Sequence, residues 1–226
     1  MNKTITENRY VQILSTGVRL EGIVSIPDDP KGIVLFVHGS GSSRHSPRNQ
    51  YMAQTLQEGG LATLLFDLLT AFEEESDLQN RYLRFDLDLL ARRIAGVLEW
   101  LDLQPYTYGL KKGLFGSSTG AAAALIAAAE IPDQIGAMVA RGGRPDLAGS
   151  ALQNVEAPTL LIVGGNDQAV IDLNEQALMN MPPEGYKKLV IVPGASHLFE
   201  EAGALEQAAR LTRDWFQTHL DGVSVS

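Results

Sequence analysis

The stretch Gly116-Ser117-Ser118-Thr119-Gly120 stands between a short apolar run, Lys112 to Phe115, and an alanine-rich segment, Thr119 to Glu130, that reads as helix. The pattern is G-x-S-x-G at a strand-to-helix junction, a turn too tight for side chains two residues to either side of the serine. Ser118 is therefore a candidate nucleophile on a strained backbone, and the Thr119 amide at the helix N-terminus faces any charge that develops on a bound carbonyl oxygen. A serine hydroxyl is a poor nucleophile at neutral pH and needs a base within hydrogen-bond reach. The chain has four histidines. His219, at the end of a terminal helix, is expected to meet its last carbonyls, and His45 in a polar loop reads as solvated. His38 ends a buried strand before a glycine turn and is expected to organise that loop, with the base role as its alternative. His197, on a Gly-rich loop after the last strand and before the last helix, is the preferred base. The base needs an acceptor to fix its tautomer and stabilise the imidazolium. Asp167, after Gly164-Gly165-Asn166, is the first choice. Asp146, in RGGRPDL, is the rival, with ion pairing to its neighbours Arg141 and Arg144 as its structural reading.

A second oxyanion donor is expected from the loop after the third strand, His38-Gly39-Ser40-Gly41, beside the Thr119 amide. The Ser40 amide is the first choice and that of Gly41 the alternative. Arg44, Arg48, Arg141 and Arg144 gather on loops at the same end of the sheet. They read either as salt-bridge partners of Asp67, Asp146 or the acidic loop, or as receivers of a substrate carboxylate or phosphate, for which a guanidinium fork is suited. Gly41, Arg44 and Arg141 are the candidate substrate contacts.

These residues need a frame that brings them together. Tyr10 to Ser15 and Val18 to Ile26 alternate with period two around Thr16-Gly17, which predicts a half-exposed hairpin with Val18, Leu20, Val24 and Ile26 on one face. Six continuous apolar runs follow: Ile33 to Val37, Leu61 to Phe66, Lys112 to Phe115, Ile135 to Ala140, Thr159 to Val163 and Leu189 to Val192. Such runs are expected of strands buried on both faces. Helices are predicted over Asn49 to Glu58, Leu83 to Leu103, Thr119 to Glu130, Asp172 to Met181 and Leu205 to His219. On the longest, Leu87, Leu90, Ile94, Val97, Leu98 and Leu101 form a stripe, with Arg92, Arg93 and Glu99 off it. Thr70 to Asn80, with FEEESD, lacks periodicity and reads as a solvated acidic loop. Alternating strand and helix predicts a mostly parallel α/β sheet covered on both sides, with antiparallel strands at one edge. Ligands of such sheets bind beyond the carboxyl ends of the strands, where the candidate residues fall.

The 226 residues, 45% hydrophobic, suit one α/β domain over 1–226 with no lid domain and an open site. A net charge of −9 with scattered basic residues argues against a nucleic-acid partner. The absence of cysteine removes disulfides, thiolate catalysis and Cys-type zinc sites. No segment reads as a signal peptide or a membrane span, so a cytoplasmic location and no membrane partner are expected. Oligomeric state is left open, a homodimer included.

With HGSGSSR, LLFDLLT, GSSTG, VGGND and GASHLFEE in place, the chain resembles the α/β-hydrolase superfamily over nearly its whole length, and within it the small, lidless dienelactone hydrolase-like branch. The resemblance implies an eight-stranded, mainly parallel sheet and a triad of Ser118, Asp167 and His197, in the chain order found there. One departure bears on substrate: the dienelactone hydrolases that name the branch use a cysteine at the position of Ser118, so their lactone is not carried over. A serine implies a carboxylesterase-like acyl hydrolase. The expected substrate is a small to medium ester, thioester or lactone, cleaved through an acyl-enzyme on Ser118 without metal or cofactor. A non-catalytic ligand-binding protein of this fold and a serine peptidase are the alternatives.

Overall fold

The computed structural model describes residues 5–221. Its strands are β1 (Ile5–Ser15), β2 (Val18–Pro27), β3 (Ile33–Val37), β4 (Ala62–Phe66), β5 (Lys112–Ser117), β6 (Ile135–Arg141), β7 (Thr159–Gly164) and β8 (Lys187–Val192). They form one eight-stranded sheet in the order β1-β2-β4-β3-β5-β6-β7-β8. β1, β2 and β4 pair antiparallel, while β4, β3 and the strands through β8 run parallel. This is the α/β-hydrolase fold, with no large lid among the described residues. Strand order reverses at β3: the chain steps outward to β4 and returns to β5 on the other side. The carboxyl ends of β3 and β5 therefore diverge into a crevice, which is where His38–Gly41 and Ser118 emerge.

The helices are α1 (Pro47–Glu58), α2 (Ala71–Asn80), α3 (Leu87–Asp102), α4 (Thr119–Glu130), α5 (Gln168–Asn180) and α6 (Ala204–Leu220). Period-two alternation in β3 divides its side chains between two cores. Leu35 and Val37 join a cluster with α3 and α4 residues, whereas Val34 and Phe36 join one with α1 and α6 residues. Helix α4 is buried at every position from Thr119 to Ala128, so its small side chains are what let it lie this close to the sheet.

Four expectations need correction. Thr70 to Asn80 is a helix, α2, and not a solvated loop. Thr70 starts it with a capping box: its hydroxyl accepts from the Glu73 amide while the Glu73 carboxylate accepts from the Thr70 amide at 2.8 Å. Arg93, expected off the buried stripe of the long helix, is 2% exposed. It donates to the Leu68 carbonyl at 2.6 Å and pairs with Glu73, tying α2 to α3. The expected helix from Leu83 begins with a separate 3-10 turn, Leu83–Phe85, and α3 starts after Asp86, whose side chain accepts from the Leu89 amide at 3.0 Å. The last apolar run, expected to be buried on both faces, is the edge strand β8, and its Ile191 is 42% exposed.

Candidate active site

The strand-to-helix turn after β5 places Ser118 at φ 50°, ψ −127°, a left-handed backbone that a non-glycine residue rarely adopts. Its glycines have steric reasons to be there. A Cβ on Gly116 would lie 2.5 Å from the Ala121 Cα, and one on Gly120 would lie 2.4 Å from the carbonyl oxygens of both Val37 and His38. The end of β6 braces the turn from the other side, where the Arg144 amide donates to the Ser118 carbonyl at 3.0 Å. Ser118 makes no side-chain cap to α4, so its hydroxyl is not spent on the helix.

Asp167 and His197 meet directly: Nδ1 of the imidazole lies 2.6 Å from the carboxylate Oδ2. Two loops far apart in the chain must touch for this, and three residues hold them. Gly164 lets the β7 loop approach, since a Cβ there would lie 2.4 Å from the Ala195 carbonyl oxygen. Asn166 clasps the facing loop, its amide donating to the Ala195 carbonyl at 2.9 Å and its side chain to that of Gly194 at 2.8 Å. Glu201 accepts from the Ser196 amide at 2.9 Å, and this hydrogen bond pulls its carboxyl below the ordinary range. Sequence reasoning passed over Asn166 and Glu201. Asn166 was readable only as a neighbour of Asp167, and Glu201 only once the 196–201 turn is closed.

His197 and Ser118 line one cleft of about 580 Å³, together with Gly41, Arg48 and Arg141. No hydrogen bond joins the Ser118 hydroxyl to the imidazole among the described residues. The structure thus joins two of the three residues and sets the third on the same cleft.

The other candidate residues have partners of their own. Asp146 takes a two-pronged ion pair from Arg144, at 2.9 and 2.8 Å. His38 is buried; its Nε2 accepts from the Leu68 amide at 3.1 Å and its Nδ1 faces the Gly39 carbonyl at 2.9 Å, so it organises the loop. Burial holds its pKa below the usual histidine value, which keeps Nε2 an acceptor. His219 packs its ring against Trp215, with centroids 4.6 Å apart, and against Tyr186, and its expected bonds to the last helix carbonyls are absent among the described residues.

On the loop after β3, the Ser40 amide donates to the Thr119 hydroxyl at 2.9 Å, which ties that loop to the start of α4 and leaves the amide engaged. Gly41, at φ 73°, lines the cleft, and its amide makes no hydrogen bond among the described residues. Arg44, expected as a substrate contact, lies outside the cleft; it pairs with Asp67 and Glu21 because both carboxylates reach it from β2 and the end of β4. Arg141 does line the cleft and has no acidic partner among the described residues. Burial, with the charge of Arg48 adding to it, lowers its pKa to about 10, so it is still a cation at neutral pH. No group of three or more His, Asp or Glu side chains gathers as a metal site among the described residues.

The model of the dienelactone hydrolase family matches residues 20–220. A dienelactone hydrolase from Anabaena variabilis, known from a crystal structure, is 56% identical, with a TM-score of 0.91, over 94% of this chain and 98% of that one. A Mycobacterium tuberculosis (strain H37Rv) protein called "Putative phosphoribosyl transferase" is 55% identical over 212 residues, 94% of this chain; the chain spans only 46% of that protein. Est1E from Butyrivibrio proteoclasticus shares the fold, with a TM-score of 0.76 at 17% identity over 93% of this chain and 98% of that one.

Proposed function

We infer the activity from one premise: this chain belongs to the dienelactone hydrolase family. It is a hydrolase, and the reading proposed is a serine hydrolase that cleaves a small to medium ester, thioester or lactone. The observation that carries it is the Asp167–His197 pair at 2.6 Å, opening on the cleft that also holds Ser118 on its strained turn.

In this mechanism Asp167 holds the Nδ1 proton of His197, leaving Nε2 free to take the Ser118 proton as the hydroxyl oxygen attacks the carbonyl carbon. The oxyanion is received by the Thr119 amide and by an amide of the Ser40–Gly41 loop, that of Gly41 being the one not already bonded. His197 then protonates the leaving alcohol or thiol, and water hydrolyses the acyl-enzyme by the same route. The Ser118–His197 hydrogen bond this needs forms as substrate fills the cleft, as catalytic bonds in empty sites commonly tighten only in the complex. The phosphoribosyl transferase name is not carried over, since this chain corresponds to about half of the proteins that bear it. Ser118→Ala is expected to lose p-nitrophenyl acetate turnover by about 1,000-fold or more while keeping the wild-type circular dichroism spectrum. Full activity in that variant would overturn the assignment.

A further inference from the structure

Three of the four arginines at this end of the sheet have acidic partners: Arg44 with Asp67 and Glu21, Arg48 with Glu200, and Arg144 with Asp146. Arg141 is the exception. It is 7% exposed, and its Nε and Nη1 are shut off from water with no hydrogen-bond partner among the described residues. The rings of Phe115 and Phe199 lie 5.9 and 5.8 Å from its guanidinium carbon, so its surroundings are partly apolar. A buried cation without a counter-charge is costly, and removing it leaves nothing else unsatisfied. Yet this residue lines the cleft shared by Ser118 and His197.

A second cation bears on it. Arg48 lines the same cleft and repels Arg141, and its own partner, Glu200, is 3.4 Å away and 65% exposed, which makes a weak pair in water. Around them the wall is mostly hydroxyls and the N-terminus of α1, which begins at Pro47 with Ser46 as its cap, and it includes one acidic residue, Glu74. A helix start favours negative charge. A single carboxylate would neutralise one guanidinium and leave the other. A phosphate dianion neutralises both, and its three oxygens reach donors that a planar group cannot engage together.

Resting on the hydrolase reading above, we propose that the ester this cleft takes carries a phosphate monoester, received by Arg141 with Arg48 as second cation. The phosphate is not transferred; it orients the substrate so that its carbonyl meets Ser118.

The test uses three probes of one ring size that the enzyme does not hydrolyse: phenyl phosphate, benzoate and benzyl alcohol. Calorimetric binding to the wild-type protein is compared with that to Arg141→Met and Arg141→Lys, and inhibition of p-nitrophenyl acetate turnover locates the binding in the cleft. Phenyl phosphate should bind at least about 10-fold more tightly than either other probe. That preference should vanish in Arg141→Met and be partly kept in Arg141→Lys. Benzoate binding as tightly as phenyl phosphate, all three probes binding alike, or a preference that survives Arg141→Met would each overturn the proposal. The wild-type comparison decides even if a variant folds poorly. Ester turnover without a phosphate preference refutes this inference alone, whereas a phosphate preference in a protein without ester turnover refutes the hydrolase reading.

Discussion

In the proposed mechanism Asp167 acts on chemistry only through His197. Replacing it with Asn keeps the size and hydrogen-bonding capacity but offers the imidazole an amide, so the tautomer with its proton on Nδ1 is no longer enforced. Asp167→Asn is expected to lower kcat by about 1,000-fold or more with little change in KM, measured with p-nitrophenyl acetate. A loss of less than about 10-fold would mean that the 2.6 Å contact is only structural. The places of these candidates at strand ends could be read from the sequence, and with four histidines in the chain the choice of base is narrow. What surrounds them could not be read there. Arg144 and Asp146 are two residues apart, but that the Ser40 amide is engaged by Thr119, Arg44 by Asp67 and Arg48 by Glu200 depends on which groups 23 to 152 residues apart come to face each other.

At the scale of elements, α2 is the instructive failure. Its large apolar side chains point outward, Phe72 at 81% and Leu78 at 70% exposed, so no buried stripe marks it. Its helical state comes from the Thr70–Glu73 box and from Glu73 and Asp77 meeting Arg93 and Arg84, partners outside the helix that no periodicity records. Burial alone would raise the Glu73 carboxyl, but hydrogen bonds from Arg93 and Thr70 outweigh it and hold it below its ordinary value of 4.5. A carboxyl whose pKa is depressed on folding stabilises the fold above its unfolded value, and that contribution fades as pH falls through the folded one. Urea midpoints should therefore drop as pH is lowered from about 5 toward 3, and Glu73→Gln should drop less over the same range. Equal pH dependence in both proteins would remove Glu73 from this role. The strands were read far more closely than α2, because continuous apolar runs report burial on both faces without reference to any partner.

Across the whole molecule, the two cores share one sheet, and the site lies where its order reverses. Helix α6 closes the core opposite α4 by burying Phe216 fully against Gly113, whose missing Cβ leaves room for the ring. Phe216→Ala should cost about 3–5 kcal/mol in urea unfolding, because the sheet cannot collapse into the space left. A cost below about 1 kcal/mol would show that α6 is loosely packed there. Among the described residues no helix is long and apolar enough to cross a membrane. The claim on which the functional account turns is that this fold makes one serine, out of many, reactive. Intact-mass spectrometry after exposure to a fluorophosphonate, with peptide mapping, reads that directly. The account predicts a single adduct, on Ser118, that fails to form in His197→Ala; an unreacted wild-type protein, or an adduct on another serine, would contradict it.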